Sequence, residues 1–340
     1  MNLWYSPLCQ TIIQKERGIQ MKTMTKKYLI IATTIVIVTT LLLGCSTKTD
    51  QLEEAKSPQS TETNTALVMT DRAGNEIRIP ENIETIVSMG PSTTEVLVEL
   101  GYADKIVASD TYSKDLGILA EDILYLDMMS PDIEQLIALD PDFIFATGMM
   151  MVEGTDPFVP VKDLGIEVAY VPSSESIEEI YEDILFTAQV LNEEEKGQEI
   201  IDNMKSEIES IKEIGDTITD KKTVYFEIAS APNIVSFGNG VFQNEMIEII
   251  GARNALGDLD GWVSISDESI VAANPDVIIT SVAYVDNPVE EIKSRAGWEN
   301  INAIKNGEVY QIDDNKSSVP NHNIVIALKD MAKKIYPDKY

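Results

Sequence analysis

Cysteine is almost absent from this chain, and histidine nearly so. The two cysteines, Cys9 and Cys45, both precede the folded part of the 340 residues. Everything after Cys45 is therefore closed to a disulfide framework, a zinc–thiolate site and a cysteine nucleophile. The single histidine, His322, cannot supply the several imidazoles that a zinc or manganese receptor needs. It falls where a C-terminal helix starts, and a cap or surface role is expected for it. No phosphate loop is present, and Gly238-Asn239-Gly240 reads as a turn. Acidic groups are plentiful, but nothing singles out a pair for carboxylate catalysis. No catalytic residue, protein-held metal site or resident cofactor is expected.

Positive charge is the next shortage. Lys and Arg total 26 against 57 Asp and Glu, a net of −31. Residues 1–44 hold five of the basic groups and one of the acidic ones, leaving 21 against 56 and a net of −35. Such a surface repels nucleic acid, so no nucleic-acid partner is expected. It favours solubility and says little about fold. Long apolar runs are missing too. The longest, Tyr28–Leu43, falls short of the ~20 residues of a membrane span.

What the chain does contain is a repeat. Glu134–Ile144 reads EQLIALDPDFI and Glu268–Ile278 reads ESIVAANPDVI. Each is Glu, an apolar helical stretch, Pro-Asp and an apolar run. A second pair, EVLVELG at Glu95–Gly101 and EMIEIIG at Glu245–Gly251, supports the first. Two helix–turn–strand units imply two similar α/β lobes with a cleft between them, where small ligands bind.

The N-terminus reads as a targeting segment. Residues 1–20 look like an upstream extension, since Met21 opens a basic stretch ending at Lys27, followed by the apolar run. Leu42-Leu43-Gly44-Cys45 resembles the lipobox of bacterial lipoproteins, which implies cleavage before Cys45 and a lipid on its thiol. Residues 21–44 are then the signal peptide. Residues 45–66, rich in Ser, Thr, Gln and Glu, form a flexible tether. In the folded part, a hairpin turn is expected at Asp71–Asn75. Ser92 and Glu95 have capping-box spacing, and Pro131 should sit at the first position of the first repeat helix. The first lobe should span 67–174, the connecting helices 175–220 and the second lobe 221–340. One long helix near Glu193–Ile214 makes a stiff connector.

The stretches ETIVSMGPSTTEVLVELG, MSPDIEQLIALDPDFIF, SISDESIVAANPDVII and WENINAIKNGEVYQID carry a more specific resemblance. Over roughly 67–340 the chain resembles the substrate-binding lipoproteins of ABC importers for iron complexes and cobalamin. The resemblance implies two α/β lobes joined by one long helix. It also implies a monomeric receptor held by its lipid on the extracytoplasmic face of the cell membrane, serving an ABC permease and its ATPase. Glu134 and Glu268 occupy the positions that in this family dock on permease arginines; by residue chemistry alone they could equally complement a helix N-terminus.

The cleft should be lined by loops that follow strands, with Pro91, Ser92, Tyr112, Met129, Met149, Trp262, Tyr284 and Lys316 as candidate ligand contacts. Trp262 stands six residues before Glu268, where cobalamin-binding members of the family have a Trp on the ligand; core packing is the other reading. Met129 lies in MSPD, where haem-binding members ligate iron through the Met. Their second ligand, a His, is missing from the corresponding loop, which offers Tyr284 instead. Tyr can ligate ferric haem, but the departure makes Met129 an apolar wall or core residue first. After residue 66 the arginines are Arg72, Arg78, Arg253 and Arg295, none in a predicted cleft loop. Anionic catecholate or citrate complexes call for clustered Arg. The expected ligand is thus a metal chelate of low net charge: a corrinoid, a hydroxamate siderophore or haem. An exported enzyme of this fold, such as a chelatase, or a surface-binding protein without transport are the alternatives.

Overall fold

Short apolar runs bounded by turn residues are what strands covered on both faces require. Ile86–Ser88 and Val277–Thr280 are such runs, buried along their whole length. The structure, a computed structural model, describes residues 67–148 and 156–340. The expected signal peptide, tether and Cys45, and also Met149, lie outside the described residues.

The chain begins with an antiparallel ribbon, β1 (Leu67–Thr70) and β2 (Glu76–Ile79). The predicted turn closes it: Asp71 Oδ1 accepts from the backbone N–H groups of Ala73 and Asn75. Then come β3 (Ile86–Ser88), α1 (Pro91–Glu99), β4 (Ile106–Asp110), β5 (Leu124–Leu126), α2 (Ile133–Leu139), β6 (Phe143–Thr147), α3 (Val159–Lys162) and β7 (Glu167–Val171). Their five-stranded sheet has the order β5-β4-β3-β6-β7 and is parallel throughout.

Two helices follow, α4 (Ile177–Val190) and α5 (Glu194–Gly215). The 22 residues of α5 extend about 33 Å. Its buried stripe of Ile201, Met204, Ile208 and Ile211 has helical spacing.

The second lobe contains β8 (Thr223–Glu227), β9 (Val235–Phe237), α6 (Phe242–Ile249), β10 (Arg253–Asn254), β11 (Trp262–Ser264), α7 (Asp267–Ala273), β12 (Val277–Thr280), α8 (Pro288–Lys293), α9 (Asn302–Asn306) and β13 (Val309–Gln311). Its four-stranded parallel sheet has the order β10-β8-β12-β13, with β9 and β11 as an antiparallel ribbon. Helices α10 (Asp314–Ser318) and α11 (Ile324–Ile335) end the chain.

The repeat has a physical basis. Helices α2 and α7 both stop on a left-handed residue, Asp140 at φ 47° and Asn274 at φ 44°. Asp and Asn tolerate that conformation better than most side chains. The Asp of each Pro-Asp then ties its strand to a neighbour. Asp142 Oδ2 accepts from the N–H and hydroxyl of Thr85, just before β3. Asp276 Oδ2 does the same with Thr223, the first residue of β8.

Two local expectations are corrected. Helix α2 starts at Ile133 with Asp132 as its N-cap, accepting from Gln135 N–H, so Pro131 stands before the cap. The capping box at Ser92 and Glu95 does not form. Gly90 is the N-cap of α1 and makes no side-chain bond. Ser92 is the second helical residue, and its hydroxyl donates to the carbonyl of Pro320. The Glu95 carboxylate, only 4% exposed, turns to partners more than two hundred residues away.

Candidate functional site

In each sheet the chain's progress reverses once, between β3 and β6 and between β8 and β12. Loops diverge at such switch points, and the crevice beyond the strand ends is where open α/β sheets bind ligands. Two hydrogen bonds join the lobes by way of segments that leave these strands. Ser92, just after β3, meets Pro320, past the end of β13. The backbone N–H of Ile177, past the end of β7, donates to Glu245 on α6 at 3.1 Å.

On the first-lobe side, a side chain at Gly90 would come within 3.8 Å of Thr147, so the β3 loop lies against the end of β6. Pro91 is buried and Ser92 half-buried. Beneath them a buried hydroxyl network joins Thr94 to Ser88 at 2.8 Å, to Ser109 at 3.1 Å and to Ser113 at 3.1 Å. Asp110, at the end of β4, accepts from the Ser113 hydroxyl at 2.5 Å and from the N–H groups of Tyr112 and Ser113. Burial pushes its carboxyl above the usual range in spite of those bonds. The turn Asp110 organises positions Tyr112. Tyr112 and Met129 are both half-buried and pack on the first-lobe core.

On the second-lobe side, Trp262 is 37% exposed and packs edge-on against Phe237, with ring centroids 5.9 Å apart. Tyr284 is 51% exposed, and its hydroxyl accepts from the Ser230 N–H at 2.9 Å. The loops that follow β8 and β12 are thereby joined.

Sequence reasoning missed Arg295. Its guanidinium reaches Glu227 at the end of β8 with two bonds of 2.6 and 2.8 Å, Glu291 at 2.5 Å and the Ser230 hydroxyl at 3.0 Å. Arg295 thus belongs to the strand-end cluster, although it follows α8 in sequence. It brings no free charge, because two carboxylates bind it. Burial works against its charged form, yet the bonds to Glu227 and Glu291 raise its pKa further above its ordinary value. Burial likewise raises Glu227, against the pull of Arg295. The half-buried Asp314 carboxyl is also raised by burial, while it accepts from Ser318 at 2.8 Å.

Lys316, the expected basic cleft residue, is likewise not a free charge: its ammonium pairs with Glu95 at 3.0 Å. His322 is not the cap of α11; Asn323 holds that position. The imidazole lies 3.8 Å from Glu99, and burial lowers its pKa. Glu134 and Glu268 are exposed in the first turns of α2 and α7, as the repeat requires. Glu268 sits below the usual carboxylate range, held by its own N–H and the Ser266 hydroxyl. Among the described residues no group of His, Cys, Asp and Glu is arranged to hold a metal ion, and no helix is long and apolar enough to cross a membrane.

Known proteins share this architecture. An ABC transporter substrate-binding lipoprotein of Bacillus subtilis, YvrC, is 32% identical over 311 residues, 90% of this chain and 96% of its own length. The molybdate-binding protein MolA of Haemophilus influenzae is 26% identical over 306 residues, 80% of this chain and 86% of MolA. The crystal structure of a possible iron-binding, periplasmic solute-binding protein from Staphylococcus epidermidis superposes with a TM-score of 0.66 at 32% identity, covering 75% of this chain and all of that one. All three are binding proteins by name. The profile of the periplasmic binding protein family matches residues 86–316, across both lobes and the helix between them, and the chain belongs to that family.

Proposed function

We propose that this protein is a lipid-anchored extracytoplasmic receptor that captures a metal complex of low net charge and hands it to an ABC permease. The complex is an iron chelate, haem or a corrinoid, bound between the two strand-end crevices. The protein acts as a monomer, holds the ligand by Pro91, Ser92, Tyr112, Met129, Trp262 and Tyr284, and does no chemistry on it. Cys45 carries the lipid. Glu134 and Glu268, exposed on equivalent helices of the two lobes, dock on the permease.

The observation that carries the ligand class is the state of the cations. Arg295 is bound by Glu227 and Glu291, and Lys316 by Glu95. A trianionic ligand entering here would have to displace buried carboxylates from their partners, which is costly. A bulky, nearly neutral complex needs only the aromatic and apolar walls. A titration panel of cobalamin, haem, a ferric hydroxamate, ferric citrate and molybdate, followed by visible absorbance or calorimetry, tests this. Tight, salt-insensitive binding of one of the first three is expected. Salt-sensitive binding of citrate or molybdate alone would overturn the charge argument.

A further inference from the structure

The second repeat pair, Glu95 and Glu245, has no part in the ligand or docking scheme, yet the two side chains do related things. Each opens its repeat on the first helix after a central strand of its lobe, α1 and α6. Each then reaches out of its own lobe. The Glu95 carboxylate accepts from Lys316 Nζ at 3.0 Å, from Asn323 Nδ2 at 3.0 Å and from Asn321 Nδ2, all on the segment that leaves β13, the edge strand of the second sheet. The Glu245 carboxylate accepts at 3.1 Å from the backbone N–H of Ile177, on the segment that leaves β7, the edge strand of the first sheet. The exchange is reciprocal, with a helix of one lobe holding the outgoing chain of the other in each case. The Ser92 hydroxyl adds a third bond across the gap, to Pro320.

The physics favours a firm contact. Charge-assisted bonds are about twice as strong as neutral ones, and Glu95 makes three of them while 4% exposed. Removing the carboxylate leaves the buried Asn321 amide without that partner, while the partly exposed Lys316 and Asn323 can turn to water. Glu245 is half-buried, and burial raises its carboxyl above the usual range against the pull of the Ile177 N–H.

We infer that Glu95 and Glu245 form a two-point interlobe clamp that fixes the aperture of the cleft before any ligand arrives. Parting the lobes then requires a force that separates α1 from the 316–323 segment and α6 from the start of α4.

The test measures lobe separation without ligand. Ala138 and Ala272 are exposed and occupy the fifth position of the two long repeats, one in each lobe. Spin labels go on the full chain carrying Ala138→Cys and Ala272→Cys, with Cys9→Ser and Cys45→Ser removing the native thiols, and the distance distribution is read by pulsed electron resonance. The parent should give one narrow peak. Glu95→Ala with Glu245→Ala should broaden it and shift it to longer separations, and Glu95→Gln, which keeps an acceptor oxygen but loses the charge, should fall between. Should the double variant fail to fold, Lys316→Met removes the ion pair from the other side and should broaden the peak alone. A peak unchanged in folded Glu95→Ala/Glu245→Ala or Lys316→Met protein, whatever its melting temperature, would overturn the clamp. Since no ligand is present, this outcome is independent of which complex the receptor carries.

Discussion

Arg295→Met is the substitution whose cost can be worked out most directly. The Arg295 side chain is 7% exposed and its partner Glu227 only 1%. Methionine fills much of the same space but leaves the Glu227 carboxylate buried with its two guanidinium bonds gone. Breaking a buried pair from one side costs about 3–5 kcal/mol. The second partner, Glu291, is 31% exposed and regains water, so its share is small. Loss of Arg295 stacking on the Trp298 ring, 4.6 Å from the guanidinium carbon, adds a little. A net loss of about 3 kcal/mol lowers the melting temperature by roughly 5 °C, because unfolding entropy of about 2 cal/mol/K per residue is summed over a folded part this long.

The loss should also depend on pH. The folded pKa of Glu227 is already raised by burial above the ordinary 4.5, and removing Arg295 raises it further. A raised carboxyl contributes stability below its unfolded pKa and loses it as pH rises through the folded value. The variant should therefore differ little from the parent at acid pH and most at neutral pH. Thermal melts followed by circular dichroism across that range, with Arg295→Met/Glu227→Gln as the partner variant, measure it. The double variant should recover most of the loss. If Arg295→Met melts with the parent at neutral pH, or its deficit is the same at every pH, the reasoning about the pair is wrong.

Trp262→Ala should cost roughly 1–3 kcal/mol of ligand binding, as for a lost aromatic anchor, with little change in melting temperature because the ring is 37% exposed; calorimetry with the complex identified by titration reads both. Glu134→Ala and Glu268→Ala should each weaken uptake by cells while leaving ligand affinity near the parent value, since rim charges act on association and register with a partner. A matching loss of affinity would place them in the cleft instead. Cys45→Ser should abolish lipid labelling and leave an uncleaved or released protein; normal processing and retention would end the lipobox reading.

The lobes were legible because the repeat is written in residues with local jobs. Asp140 and Asn274 end helices in a left-handed turn, and Asp142 and Asp276 fasten the next strand to its neighbour. Such jobs recur at fixed spacing, so the sequence displays them. The polar clusters near the cleft were not legible, for the opposite reason. Glu227 and Arg295 are 68 residues apart in sequence, and Glu95 and Lys316 are 221 apart. Neither pair has a signature in spacing. Ser92 and Glu95 show how local spacing misleads: they match a capping box, but Gly90 already starts the helix and the long-range partners take both side chains. Arg295 was placed outside the cleft loops because it follows α8 rather than a strand, and only its long side chain returns to the strand ends.

Helix α5 is fastened at both ends by glycine. A methyl group at Gly197 would sit 2.4 Å from Ala188 Cβ of α4, and one at Gly215 only 2.2 Å from the Ile249 carbonyl of α6. Backbone lies almost against its neighbour at each place, so the helix behaves as a strut with welded ends and not as an axle. With both junctions this tight, neither end of the helix can roll on its neighbour without a clash, so any relative motion of the lobes has to be absorbed within the helix itself.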